Sequence, residues 1–215
     1  TTVETFYGTS NADSFTSGDP RLRNFWVSGM GGSDTFTQTP YGVSPFDASY
    51  IPNYRANGMQ VSYWWVAPKS GSNEGIKVTW SGATGQVQYF DSSTGQKAGT
   101  DTLSYVTGLE DSNYDDTLDF SGYVMGFQGF ATRAIDGKAT HWVNIRGGSD
   151  TIIGNGNTSF YFTSANNLSN ASGKTGGVTI DLKLAQADLS NISGYGTIKY
   201  SGVEAIGGTK FADTL

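Results

Sequence analysis

Two stretches decide the fold: Trp26-Val27-Ser28-Gly29-Met30-Gly31-Gly32-Ser33-Asp34-Thr35 and Trp142-Val143-Asn144-Ile145-Arg146-Gly147-Gly148-Ser149-Asp150-Thr151. Seven of the ten positions are identical, at an offset of 116 residues. Self-similarity at a long fixed period marks a repeat architecture. A second phrase occurs three times, opening at Val3, Val106 and Val203, and its aspartates fall at Asp13, Asp116 and Asp213. A weaker echo sets Gly75-Ile76-Lys77-Val78-Thr79 against Gly177-Val178-Thr179-Ile180-Asp181. The motifs keep one order in both halves. The chain therefore divides into one unit over 1–105, a second over 106–202, and the start of a third over 203–215. The 122–140 stretch, which contains Gly and Phe, accounts for the longer offset of the Trp motif. Because the chain stops inside a motif, at Asp213-Thr214-Leu215, it reads as a piece of something longer.

Composition excludes several classes. Gly, Thr, Ser and Asn together supply 92 of 215 residues, which disfavours long helices and favours short strands with many turns. Twelve Phe, twelve Tyr and five Trp provide apolar mass that disordered chains lack. A net charge of −6 argues against binding a phosphate backbone. No apolar run reaches membrane-spanning length, and Thr1-Thr2-Val3-Glu4 does not read as a signal peptide. With no cysteine, disulfides and thiolate chemistry are impossible. Asp outnumbers Glu 15 to 4; short carboxylates on Gly-rich turns are either hard-cation ligands or plain turn formers.

Between the motifs lie short strands. Ile76-Lys77-Val78-Thr79-Trp80 alternates, with Ile76, Val78 and Trp80 on one face. Val61 to Val66 carries bulky residues on both faces, Gly85 to Phe90 and Ser159 to Phe162 read as further strands, and Gly154-Asn155-Gly156-Asn157 reads as a turn. The one stretch with a helical reading is Leu182 to Leu189. The expected fold is all-β: a parallel β-helix or β-roll-like solenoid with loop insertions, and an added sheet from 41–66. Two tandem β-sandwiches are the alternative.

The aspartate motifs resemble degenerate copies of the calcium nonapeptide of repeats-in-toxin (hemolysin-type) proteins, Gly-Gly-x-Gly-x-Asp-x-(large apolar)-x. With Asp34 at the aspartate position, Gly29 and Gly32 fall on the first and third glycines and Phe36 on the apolar position, while Met30 replaces the second glycine. Gly148 with Ile152 fit around Asp150, and Gly208 with Leu215 fit around Asp213. The resemblance implies calcium, with Asp13, Gly29, Gly32, Asp34, Asp101, Asp116, Asp150 and Asp213 as candidate ligands. Asp13 with Asp34, and Asp101 with Asp116, are the pairs spaced to share an ion between coils. It also implies a secreted, extracellular structural or adhesive module of a bacterial cell surface, surface layer or filament. Its expected partners are copies of itself or neighbouring repeats, with no nucleic acid and no membrane insertion.

Catalysis is not expected. His141 is the only histidine, which excludes a His-Glu-x-x-His zinc site, and the other copy carries Phe25 in its place. The neighbouring acids Glu110 with Asp111 and Asp115 with Asp116 sit inside the repeat motif and read first as ligands. Aromatic residues offer a different function. Tyr63, Trp64, Trp65 and Trp80 are candidate glycan contacts, with Tyr41, Tyr50 and Tyr54 clustered before them; filling the core is their other reading. A carbohydrate-binding module, or an accessory domain of a secreted polysaccharide-active enzyme, is the alternative function.

Overall fold

The alternation in Glu74–Ser81 governs how the chain packs. Ile76, Val78 and Trp80 are buried while Lys77, Thr79 and Ser81 face solvent, as a half-buried strand requires. The same period recurs along the chain in a computed structural model that describes residues 4–17, 25–38, 59–91, 93–106, 108–123, 141–162, 177–192, 194–209 and 211–214. Tyr41, Tyr50, Tyr54, Leu215 and most of the 41–66 and 122–140 segments lie outside them. The protein is all-β, with no helix among the described residues.

The strands are β1 (Glu4–Tyr7), β2 (Ser14–Ser17), β3 (Phe25–Ser28), β4 (Thr35–Gln38), β5 (Met59–Ser62), β6 (Glu74–Ser81), β7 (Thr84–Phe90), β8 (Lys97–Ser104), β9 (Gly108–Glu110), β10 (Asp115–Asp119), β11 (His141–Asn144), β12 (Thr151–Tyr161), β13 (Thr179–Asp181), β14 (Gln186–Asp188) and β15 (Thr197–Ile206). They form two parallel stacks. The first runs β1, β3, β5, β9, β11, the second half of β12 and the end of β15. The second runs β2, β4 and β8, then β6, β10 and the first halves of β12 and β15. Antiparallel β7 is inserted between β8 and β6, and antiparallel β14 and β13 follow β15. Among the described residues, ten of the fourteen strand pairs are parallel, whereas the sheets of a β-sandwich are antiparallel.

β12 and β15 serve both stacks by bending. In β12 the bend is Gly154-Asn155-Gly156-Asn157, where Gly156 has φ 90° and Asn155 Oδ1 accepts the Asn157 N–H at 2.9 Å. In β15 it is Gly202, with φ 59°. β6 and β7 are joined by Gly82-Ala83, and positive φ at Gly82 alone matches a type II′ turn. The expected helix from Leu182 is instead a turn followed by β14. Asp181 Oδ1 accepts the N–H groups of Lys183 and Leu184 at 2.9 Å, and Ala185 reverses the chain at φ 52°.

Several segments that repeat in sequence take corresponding places in the sheet. Phe25–Ser28 and His141–Asn144 occupy matching places in the first stack, β6 and β13 both open antiparallel meanders, and β10 and Thr214 each pair with the opening strand of such a meander. Inward side chains stack in register. Val27, Val61, Leu109, Val143 and Phe160 form one buried ladder, and Val78, Leu118 and Ile152 form another. Each fully buried side chain of this size is worth about 1.5–3 kcal/mol.

Candidate functional site: a buried aspartate cluster

The repeated aspartates lie in turns or, for Asp116, near the start of a strand, β10. Asp13, Asp116 and Asp213 share one local geometry. Each accepts the backbone N–H and the hydroxyl of the residue four earlier: Thr9 at 2.6 and 3.0 Å, Ser112 at 2.8 and 2.7 Å, Thr209 at 2.9 and 2.7 Å. Asp116 and Asp213 also reach a neighbouring turn, accepting the N–H of Ile76 at 2.6 Å and of Val178 at 2.9 Å. Asp34 and Asp150 form the second matched pair. Their Oδ1 atoms accept the N–H groups of Asp13 and Asp116, both at 2.8 Å. Thus every repeat aspartate ties backbone donors within or between turns, independent of any ion.

The flanking glycines are required sterically. A Cβ on Gly29 would stand 1.7 Å from Asp34 Oδ2, and one on Gly32, at φ 97°, would meet the Asn11 backbone at 2.5 Å. Met30 takes the left-handed conformation at φ 66° where the nonapeptide has its second glycine.

In one turn an extra carboxylate enters. Asp111 stands where the sister copies have Gly8 and Gly208. Its Oδ1 accepts the Arg146 N–H at 2.7 Å. Its side chain then joins Asp116 and Asp150, all three buried, with one oxygen of each within 4.8 Å of the others. Oδ2 of Asp111 and Oδ2 of Asp150 have no hydrogen-bond partner among the described residues. The adjacent guanidinium does not neutralise the cluster, because Arg146 Nη1 pairs with Glu110 Oε1 at 2.9 Å.

Burial is the main cause of the electrostatics here. It pushes Asp116 up to about 7 against the opposing hydrogen bonds from Ser112 and Ile76. It raises Asp111 well above the carboxylate range, helped by the charges of Asp150 and Asp116, and raises Asp150 likewise, helped by Asp116. A divalent cation relieves the same strain. Ligands on opposite sides of a calcium ion at about 2.3–2.6 Å stand about 5 Å apart, which suits oxygens within 4.8 Å. The cluster could hold a metal ion.

The first-unit aspartates are arranged differently. Asp34 donates its N–H to Asp101 Oδ1 at 2.8 Å, and the Tyr63 hydroxyl donates to Asp101 Oδ2 at 3.0 Å. Burial raises Asp34 to about 6 and Asp101 to about 7. Asp101 and Asp116, paired by spacing, are separated in the sheet by β7 and β6, about 14 Å at three strand spacings. The inserted meander is the reason. Asp213 is exposed.

Of the aromatic candidates, Tyr63, just after β5, and Trp80, on the inward face of β6, are core residues, 0% and 7% exposed. Trp65 packs at 5.1 Å on Tyr89. Trp64 alone projects, at 41% exposure. His141 is buried against Phe120, at 4.2 Å between ring centroids, and burial lowers it to about 3.

Asp111 was noted in sequence only as a neighbour of Glu110. The signal that marks it is an acid at a position where both sister turns keep glycine. No protein-family model matches the chain, and no curated protein or solved structure matches it.

Proposed function

We propose that the chain is a secreted, calcium-stabilised structural and adhesive module of a bacterial surface protein, built as a β-helical solenoid. The observation that carries this reading is the buried Asp111–Asp116–Asp150 cluster, with two carboxylate oxygens lacking any donor among the described residues. Three buried carboxylates without a nearby free cation among the described residues call for protons or a metal, and calcium prefers an all-oxygen site with charged ligands. The two parallel stacks support the solenoid, in which each turn buries the next. Partners in this reading are neighbouring repeats or further copies of the chain, docking along the stack.

Thermal melts in excess chelator, in millimolar calcium and in millimolar magnesium test it. A ligand that binds only the native state raises the unfolding temperature. Calcium should raise it more than magnesium does, since magnesium demands a tighter octahedron and sheds water reluctantly. Identical melts in all three conditions would remove the metal from the reading.

A further inference from the structure

The first stack carries a second candidate site, which adjoins the aspartate cluster through Glu110 and Arg146 but uses different side chains. Phe25 and Val27 point inward, so Trp26 and Ser28 of β3 take the opposite face, where Trp26 is half-buried and Ser28 is buried. Thr5 lies beside Trp26 and Tyr7 beside Ser28 in the register of β1 and β3. Ser62 and Glu110, buried and part-buried, pair on β5 and β9 and continue the same row. Trp64, just beyond β5, closes one side. Together these residues line an open cleft of ≈ 170 Å³, room for about six waters at about 30 Å³ each. That is a shallow site, suited to a ring-sized group rather than a folded partner.

Its chemistry is of two kinds. Tyr7 is 60% and Trp64 41% exposed, and Trp26 is half-buried, braced edge-on by Trp142 at 6.2 Å. These are flat, rigid apolar surfaces with polar edges. Between them Glu110 is fixed from two directions. The Ser62 hydroxyl donates to its Oε2, and Arg146 Nη1 donates to its Oε1 at 2.9 Å. The pair leaves the site with no net charge, while both carboxylate oxygens keep lone pairs for further donors. An anionic ligand would meet the carboxylate, and a cation would compete with Arg146. A neutral ring with an apolar face and a rim of hydroxyl donors fits both halves.

We propose that this cleft binds a neutral pyranose of a polysaccharide, with Trp64 and Tyr7 against the sugar face and Glu110 accepting from its hydroxyls. The site adjoins the cation cluster through Arg146, but its test reads sugar binding rather than metal-dependent stability, so the two fail distinguishably. The test is calorimetric titration of the full chain with cellohexaose, laminarihexaose, xylohexaose and mannohexaose, with polygalacturonate as the anionic comparison. Saturable binding of at least one neutral oligosaccharide is expected. Trp64→Ala should weaken it about tenfold, the loss of about 1.4 kcal/mol typical of a contacting aromatic. Tyr7→Ala, at a position with little packing to lose, should weaken it too while retaining the wild-type melting temperature. No binding of any neutral oligosaccharide at millimolar concentration overturns the proposal. So does binding that survives both substitutions unchanged, or a preference for polygalacturonate.

Discussion

Replacing Asp150 by Asn should stabilise the protein in chelator and remove its response to calcium. Asp150 Oδ1 accepts the Asp116 N–H at 2.8 Å, a role the amide oxygen retains. The atom that becomes Nδ2 is the donorless Oδ2, buried within the cluster, where an N–H₂ group gains carboxylate acceptors. At an effective dielectric of about 20, two unit charges 4.8 Å apart repel by roughly 3.5 kcal/mol. Burial and the Asp116 charge also hold the Asp150 carboxyl well above the ordinary carboxylate range, so removing that carboxyl relieves a cost of the same sign. For a chain of this size 1 kcal/mol moves the melting temperature by about 2–4 °C. The variant should therefore melt roughly 7–14 °C above wild type in chelator at mildly alkaline pH. In calcium at a hundredfold excess over Kd, wild type gains about 2.7 kcal/mol, roughly 5–11 °C, and the variant gains little. Scanning calorimetry of both proteins in both conditions reads all four values. A variant less stable than wild type in chelator, with its calcium increment intact, would refute the argument that these carboxylates repel one another and share an ion.

Three further outcomes follow from the packing. His141 has its charged form excluded down to about pH 3, against 6.5 unfolded; above 6.5 both states are neutral, and as pH falls below it only the unfolded chain takes up the proton. Wild type should thus lose about 1.4 kcal/mol per pH unit relative to His141→Phe, the residue found at the matching position 25, a slope that paired melts between pH 7 and pH 4 will show. Gly29→Ala places a methyl on Asp34 Oδ2 and should cost about 1–3 kcal/mol, read as a lower urea midpoint with unchanged slope. Leu109→Ala empties the middle of the first ladder and should cost about 2–5 kcal/mol in the same assay.

Much of this was legible in the sequence because the repeat fixes register. Trp26 aligned with Trp142 places Phe25 and Val27 against the same inward face as His141 and Val143, and alternation at Ile76, Val78 and Trp80 gives their burial directly. Alternation does not say which face is covered, so Tyr63 and Trp64, adjacent and similar, could not be separated; the turn after β5 settles them. The meander was hidden for another reason. Nothing local in Gly85 to Phe90 shows that β8, rather than β6, meets β4, and so Asp101 was paired with the wrong aspartate. Asp111 escaped because the motif directs attention to the aspartate position, while the cation cluster depends on an acid standing where the motif wants glycine.

The inserted meander also sets where the chain begins to fold. In the parallel stacks, partners are distant: Thr35 meets Thr102, and Phe25 meets Met59. Each such pairing must close a long loop before any contact rewards it, which makes parallel sheets slow. β6 and β7 need only the two-residue Gly82-Ala83 turn, and a hairpin of that kind forms in about 1–10 μs. The hairpin also contributes Val78, Trp80, Val87 and Tyr89, all buried, to the interior. It is therefore the natural nucleus, a preformed hairpin to which β8 adds antiparallel on one side and the slower parallel strand β10 on the other. Substitutions in the Gly82-Ala83 turn should slow refolding, while those in the outer strands β1 and β2 should chiefly speed unfolding.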